Sequence, residues 1–244
     1  MPIWPAPASR ATNASVPTED DAKLADAGLA IPVWDLPVRL FHWGIVGLIA
    51  FSWWSAEYDY LQWHVYSSYL VLFALLFRVA WGVVGSSTAR FASFVRGPRS
   101  VMRHLRGSAE QTIGHTPLGA LSVVALLGLM IVQLSAGLFL VSEDGDYAGP
   151  FARLLGDEAN DLVYDVHHTL FQVLLGFIVL HIAAILFYRF KRGKNLLGPM
   201  LRGSSDQHSA GTAGLVAGKP KALIGCLIFA AAATGWIAAG VPPF

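Results

Sequence analysis

Five stretches of this chain run for seventeen residues or more with almost no Asp, Glu, Lys or Arg, and nothing constrains its fold more. They cover positions 40–56, 63–84 (interrupted by Arg78 alone), 118–141, 163–188 and 222–240. A bilayer core about 30 Å thick is crossed by roughly 20 apolar residues in a helix, because a backbone in lipid must satisfy its own hydrogen bonds. The pattern predicts an all-α integral membrane protein: a four-helix transmembrane bundle with a fifth transmembrane helix at the C-terminal end. Composition agrees, with 14% charged residues against about 25% in soluble proteins. A net charge of +1 speaks against a nucleic-acid partner. Cys226 is the only cysteine, which excludes a disulfide scaffold, cysteine-ligated iron–sulfur clusters, structural zinc fingers and covalent CxxCH haem.

The remaining segments order themselves around these spans. Residues 1–30, rich in Pro, Ala, Asp and Thr without an apolar run, read as a disordered cytoplasmic tail rather than a signal peptide. Residues 31–203 form the transmembrane domain, 204–221 a Gly/Ser/Ala-rich flexible linker, and 222–240 the fifth helix. Segment 90–107 mixes arginines with Phe91, Phe94 and Met102 and reads as interfacial. Basic residues collect in two loops: Arg90, Arg96, Arg99, Arg103 and Arg106 after the second span, and Arg189, Lys191, Arg192, Lys194 and Arg202 after the fourth. The alternate loops carry nine acids, among them Glu57, Asp59, Asp144 and Asp157, against Arg153 alone. The positive-inside rule makes the N-terminus cytoplasmic and, with the fifth helix spanning, places the C-terminus outside.

Ionisable groups within membrane helices mark function by default. His42 lies at the cytoplasmic end of the first span and His64 at the outer end of the second. The fourth span carries His167 and His181, fourteen residues apart, a rise of about 21 Å and nearly four whole turns, so both share one face. His168 falls off that face. Depth then pairs His64 with His167 and His42 with His181, two facing imidazoles per layer, the arrangement a bis-histidine haem iron requires. Gly44, Gly47, Gly137 and Gly176 allow a flat macrocycle close to the backbone. Arg78, fourteen residues after His64, and Arg39 are candidates to neutralise propionates at the inner layer; the plainer reading is that they snorkel to the interface. His104, His115 and His208 read as solvated. Trp34, Trp43, Trp53, Trp54, Trp63 and Trp81 near helix ends fit an aromatic belt. Cys226 reads as a small apolar residue, and the Asn13 sequon as incidental.

Several motifs resemble one family. Val33-Trp-Asp-Leu-Pro-Val-Arg-Leu-Phe-His-Trp43, then Leu76-Phe-Arg-Val-Ala-Trp-Gly82, Ala89-Arg-Phe-Ala-Ser-Phe-Val-Arg-Gly-Pro-Arg99, Gly114-His-Thr-Pro-Leu-Gly119 and Asn195-Leu-Leu are similar to the bacterial cytochrome b561 / nickel–iron hydrogenase cytochrome b subunit family. The resemblance spans about residues 31–203. It implies a four-helix bundle with two b-type haems and, carried over, the ligands His42, His64, His167 and His181. The tail and fifth helix depart from that pattern. The expected role is transmembrane electron transfer between membrane quinone and an outer-face redox partner, such as a c-type cytochrome, a hydrogenase or a soluble dehydrogenase. An electron-transfer cytochrome is favoured over a stand-alone enzyme. The alternatives are a superoxide:quinone oxidoreductase of the same family and, from another class, a histidine-based metal-ion or haem transporter. Two ligands per layer make an incomplete set for zinc.

Overall fold

The computed structural model describes residues 30–95, 114–142, 144–205 and 214–240, with single positions 97, 99 and 102 between them. Its long elements are α1 (Leu36–Glu57), α2 (Leu61–Val84), α4 (Pro117–Phe139), α5 (Asp157–Lys191) and α7 (Pro220–Ala238). Short elements join them: α3 (Phe91–Phe94), α6 (Leu197–Arg202), a 3-10 turn at Ala152–Leu154, and an antiparallel pair β1 (Ile31–Pro32) and β2 (Ser204–Ser205). All five expected spans are helices long and apolar enough to cross a membrane. Residues 1–29 of the expected tail, with Asn13, half of 90–107, with His104, and His208 lie outside the described residues.

Local chemistry starts the helices where they start. Asp35 caps α1, its carboxylate accepting from the Val38 amide at 2.8 Å, and Pro37 presets the first turn. Thr116 and Pro117 do the same for α4, with Gly119 N donating to Thr116 Oγ1 at 3.1 Å. Helix α5 has 35 residues, about 52 Å at 1.5 Å per residue. It is longer than the expected 163–188, because its first two turns are polar and stand beyond the apolar span. Asp157 and Glu158 at its start, and Arg189 and Lys191 at its end, complement the helix dipole.

Helices α1 and α2 form one hairpin, turning at Asp59 with φ 61°, a conformation Asp tolerates. Helices α4 and α5 form the other, and α7 packs along α2. One buried cluster joins α1, α2, α4 and α5 at mid-height: Ile45, Val71, Leu75, Leu127, Met130 and Leu174. A second lies at the end that carries the basic loops, built from Val33, Trp34, Val38, Phe77, Trp81, Ala89, Cys226 and Ala230. Trp34 and Trp81 therefore belong to the core, correcting their expected place in an aromatic belt. Trp81 is 2% exposed and donates from Nε1 to Asp35 Oδ2 at 2.9 Å, so one carboxylate caps α1 and pins the end of α2. Trp43, Trp53, Trp54 and Trp63 do lie on the outside.

The linker is anchored at both described ends. Ser204–Ser205 pairs with Ile31–Pro32, Leu215 N donates to Pro32 O at 3.0 Å, and Val216 N donates to Ser87 Oγ at 3.0 Å. Gly203 makes this clasp possible. It holds φ 90°, and a Cβ there would come within 3.1 Å of Arg39 Nη1 and the Trp34 carbonyl. Its own carbonyl accepts from the amides of Val33 and Trp34.

Candidate functional site: two histidine pairs

The fold brings the four histidines of the membrane helices together as two pairs. Near the end with the acidic loops, His64 of α2 faces His167 of α5 with ring centres 6.3 Å apart and planes at 83°. Near the basic end, His42 of α1 faces His181 of α5 at 6.5 Å and 50°. Each pair joins the two hairpins. The mid-height cluster separates the layers, with Leu174 midway between His167 and His181 on α5.

Three of the four rings are held at Nδ1. His64 Nδ1 donates to Ser52 O at 2.8 Å, with Ser52 Oγ at 3.1 Å. His167 Nδ1 donates to Gln133 O at 3.2 Å. A carbonyl can only accept, so these bonds place the proton on Nδ1 and leave Nε2 with a free lone pair. His181 Nδ1 meets Ser122 Oγ at 3.1 Å. The buried Nδ1 of His42 has no hydrogen-bond partner among the described residues.

These residues fit a bis-imidazole iron. A metal–imidazole bond of about 2 Å, plus roughly 1.1 Å from ring nitrogen to ring centre, would put the centres of two opposed imidazoles about 6.2 Å apart. The observed separations match that figure within a few tenths of an ångström. Of the glycines expected to admit a macrocycle, Gly137 lies against a ring: a Cβ there would stand 3.2 Å from His167 Cε1. At Gly44, Gly47 and Gly176 a Cβ would meet nothing within 4 Å. His168 is exposed, bonds to Tyr164 O in its own helix at 3.0 Å and stacks on the Tyr164 ring.

Both arginines are engaged with backbone carbonyls at the basic end. Arg39 Nη1 donates to Leu201 O at 2.8 Å. Arg78 is 3% exposed, donates to Ala89 O at 3.3 Å and lies 4.9 Å over the Phe91 ring. A guanidinium so covered does not snorkel, which removes that reading for Arg78. His115 is not solvated, contrary to expectation: its ring packs between Trp34 and Phe94, at 4.6 and 4.2 Å. Burial, and then the Arg78 charge, push its pKa down to about 3. These contacts join positions as distant as Asp35, Trp81 and His115 and leave no local pattern to read, although Asp-Leu-Pro is a legible helix start.

The other end carries an acidic cleft of about 540 Å³, where Asp144, Asp157, Asp161 and Asp165 surround Tyr164 and Asn160. Asn160 ties it to the bundle, accepting from Val141 N at 2.9 Å. In the same loop the phenol of Tyr147 hydrogen-bonds Tyr69; burial first, and Tyr69 second, push it up to about 12.

Membrane-spanning helices that present paired imidazoles at opposite ends of one bundle suit a membrane b-type cytochrome. The sequence model of the family described as prokaryotic cytochrome b561 matches residues 33–203, and the chain belongs to that family. It is thus a multi-pass membrane protein that binds b-type haem and serves transmembrane electron transfer. No curated protein and no solved structure matches it.

Proposed function

We propose that the chain carries electrons between the membrane quinone pool and a periplasmic redox protein through two b-type haems, one held by His64 and His167, the other by His42 and His181. The observation that carries this is the pair of ring separations, 6.3 and 6.5 Å, in two layers about 21 Å apart along α5. Each haem supplies a one-electron ferric/ferrous couple when bound. His64 and His167, and His42 and His181, would hold the irons through Nε2, which would leave oxygen and other small ligands no free site. Carbonyls of α1 and α4 orient two of the rings through Nδ1. Leu174 and its neighbours keep the space between the layers apolar. Arg39 and Arg78 supply positive charge beside the basic-end layer for propionates.

By the positive-inside rule the basic end, with the N-terminus, faces the cytoplasm, the C-terminus lies in the periplasm, and the membrane is the bacterial inner membrane. The acidic cleft then faces the periplasm, where its charge suits a basic partner such as a c-type cytochrome and repels an anion such as superoxide. A metal transporter needs richer coordination; among the described residues no group of three or more His, Cys, Asp or Glu side chains could hold a metal ion. Stopped-flow mixing with a quinol and then with oxidised c-type cytochrome tests the reading. Haem absorbance should rise with quinol and fall with the cytochrome. Haem that answers to neither overturns the proposal.

A further inference from the structure

The two layers differ at Nδ1. Near the acidic end both rings donate to main-chain carbonyls, Ser52 O at 2.8 Å and Gln133 O at 3.2 Å. Near the basic end His181 has only the Ser122 hydroxyl at 3.1 Å, and His42 Nδ1 has no partner among the described residues. An imidazole that donates strongly from Nδ1 is a more basic ligand at Nε2, and a more basic ligand favours the ferric over the ferrous state. A carbonyl is the stronger acceptor, so the acidic-end pair holds iron oxidised more firmly. The fixed charges push the same way. Among the described residues eight acids and Arg153 border the acidic end, while Arg39 and the buried Arg78 outnumber Asp35 at the other, where positive charge favours the reduced state.

We infer that the His42–His181 layer is the higher-potential of the two, and that Ser122 is the positioning residue that moderates its potential. The inference rests on the two-haem reading proposed above. Loss of the Ser122 hydroxyl removes the Nδ1 contact of His181 without removing a ligand, whereas His64 keeps the Ser52 carbonyl even if the Ser52 hydroxyl is lost. With Nε2 on iron, Nδ1 carries the proton and the Ser122 oxygen accepts it. Loss of the hydroxyl therefore weakens the donor strength of His181 and raises the potential of its layer.

Potentiometry of the purified holoprotein, followed by visible absorbance, tests this. Two waves are expected, and His64→Ala, which removes an acidic-end ligand, should lose the lower one. Ser122→Ala should move only the upper wave upward, by a several-fold change in the oxidised-to-reduced ratio at fixed potential. Ser122→Thr, which keeps the hydroxyl, should restore it. Loss of the upper wave in His64→Ala, or a Ser122→Ala protein in which the lower wave moves or neither does, overturns the inference and leaves the two-haem reading standing. Fewer than two haems in the wild-type chain overturns both. Should His64→Ala fail to insert, the Ser122 variants decide alone.

Discussion

Asp35 links sequence motif to site more tightly than any other single residue, and its removal has a magnitude that can be worked out. One carboxylate oxygen caps α1 at Val38 N, 2.8 Å away, and the other accepts from Trp81 Nε1 at 2.9 Å. Asp35→Ala loses the cap, about 1 kcal/mol, and a charge-assisted bond to a buried indole, about 1.5–3 kcal/mol. Together these come to roughly 2.5–4 kcal/mol. At about 2–4 °C per kcal/mol for a chain of this size, the thermal midpoint should fall by roughly 5–15 °C. Asp35→Asn keeps an oxygen for the cap but turns an amide toward Trp81, so it should fall by less. The assay is thermal unfolding in mild detergent, followed by haem absorbance and by circular dichroism. His42 lies seven residues along α1, about 10 Å from the cap, so basic-end haem should dissociate first. A midpoint for Asp35→Ala within about 2 °C of wild type, or an Asn variant worse than the Ala variant, would refute the reasoning from the capping geometry.

Further outcomes follow from the same geometry. Gly137→Leu drives a side chain into the His167 ring, where even a Cβ would stand at 3.2 Å; haem content should drop to one per chain, and retention of both haems would show that the ring is not confined there. His168→Ala should leave haem content and spectra unchanged, since that ring is exposed and bonded within its own helix; loss of a haem would move the ligand by one register. His115 stays neutral in the folded protein down to about pH 3 but binds a proton near pH 6.5 when unfolded, so the unfolded state takes up more protons between those values. Stability should therefore fall as pH drops from 6.5 toward 3 and stay level above 6.5. His115→Phe should flatten that part of the profile, and an unchanged slope in denaturation midpoint against pH would count against the buried, neutral ring.

The spans were legible because each apolar run is contiguous and a bilayer tolerates no other reading of twenty such residues. The histidine pairing was legible for a related reason: fourteen residues is close to a whole number of turns, so sequence distance converts directly to depth and face. What escaped was held by contacts between distant positions. Asp35 and Trp81 lie 46 residues apart, and Trp81 at a helix end looks like any interfacial tryptophan until its partner is seen. His115 sits among loop residues whose arginines imply water, yet the rings of Trp34 and Phe94 close over it. The linker ends, short and glycine-rich, carry no periodicity from which their pairing with β1 could be read. The length of α5 was missed because hydropathy marks where lipid ends, whereas the helix continues for two polar turns beyond it.

The most direct test of the central claim is the haem-to-protein ratio of the purified chain, read from a reduced-minus-oxidised spectrum alongside His64→Ala and His42→Ala. The account predicts two low-spin b-type haems in the wild-type protein and one in each variant, with a different haem surviving in each. One haem or none in the wild type, or the same haem surviving in both variants, would contradict it.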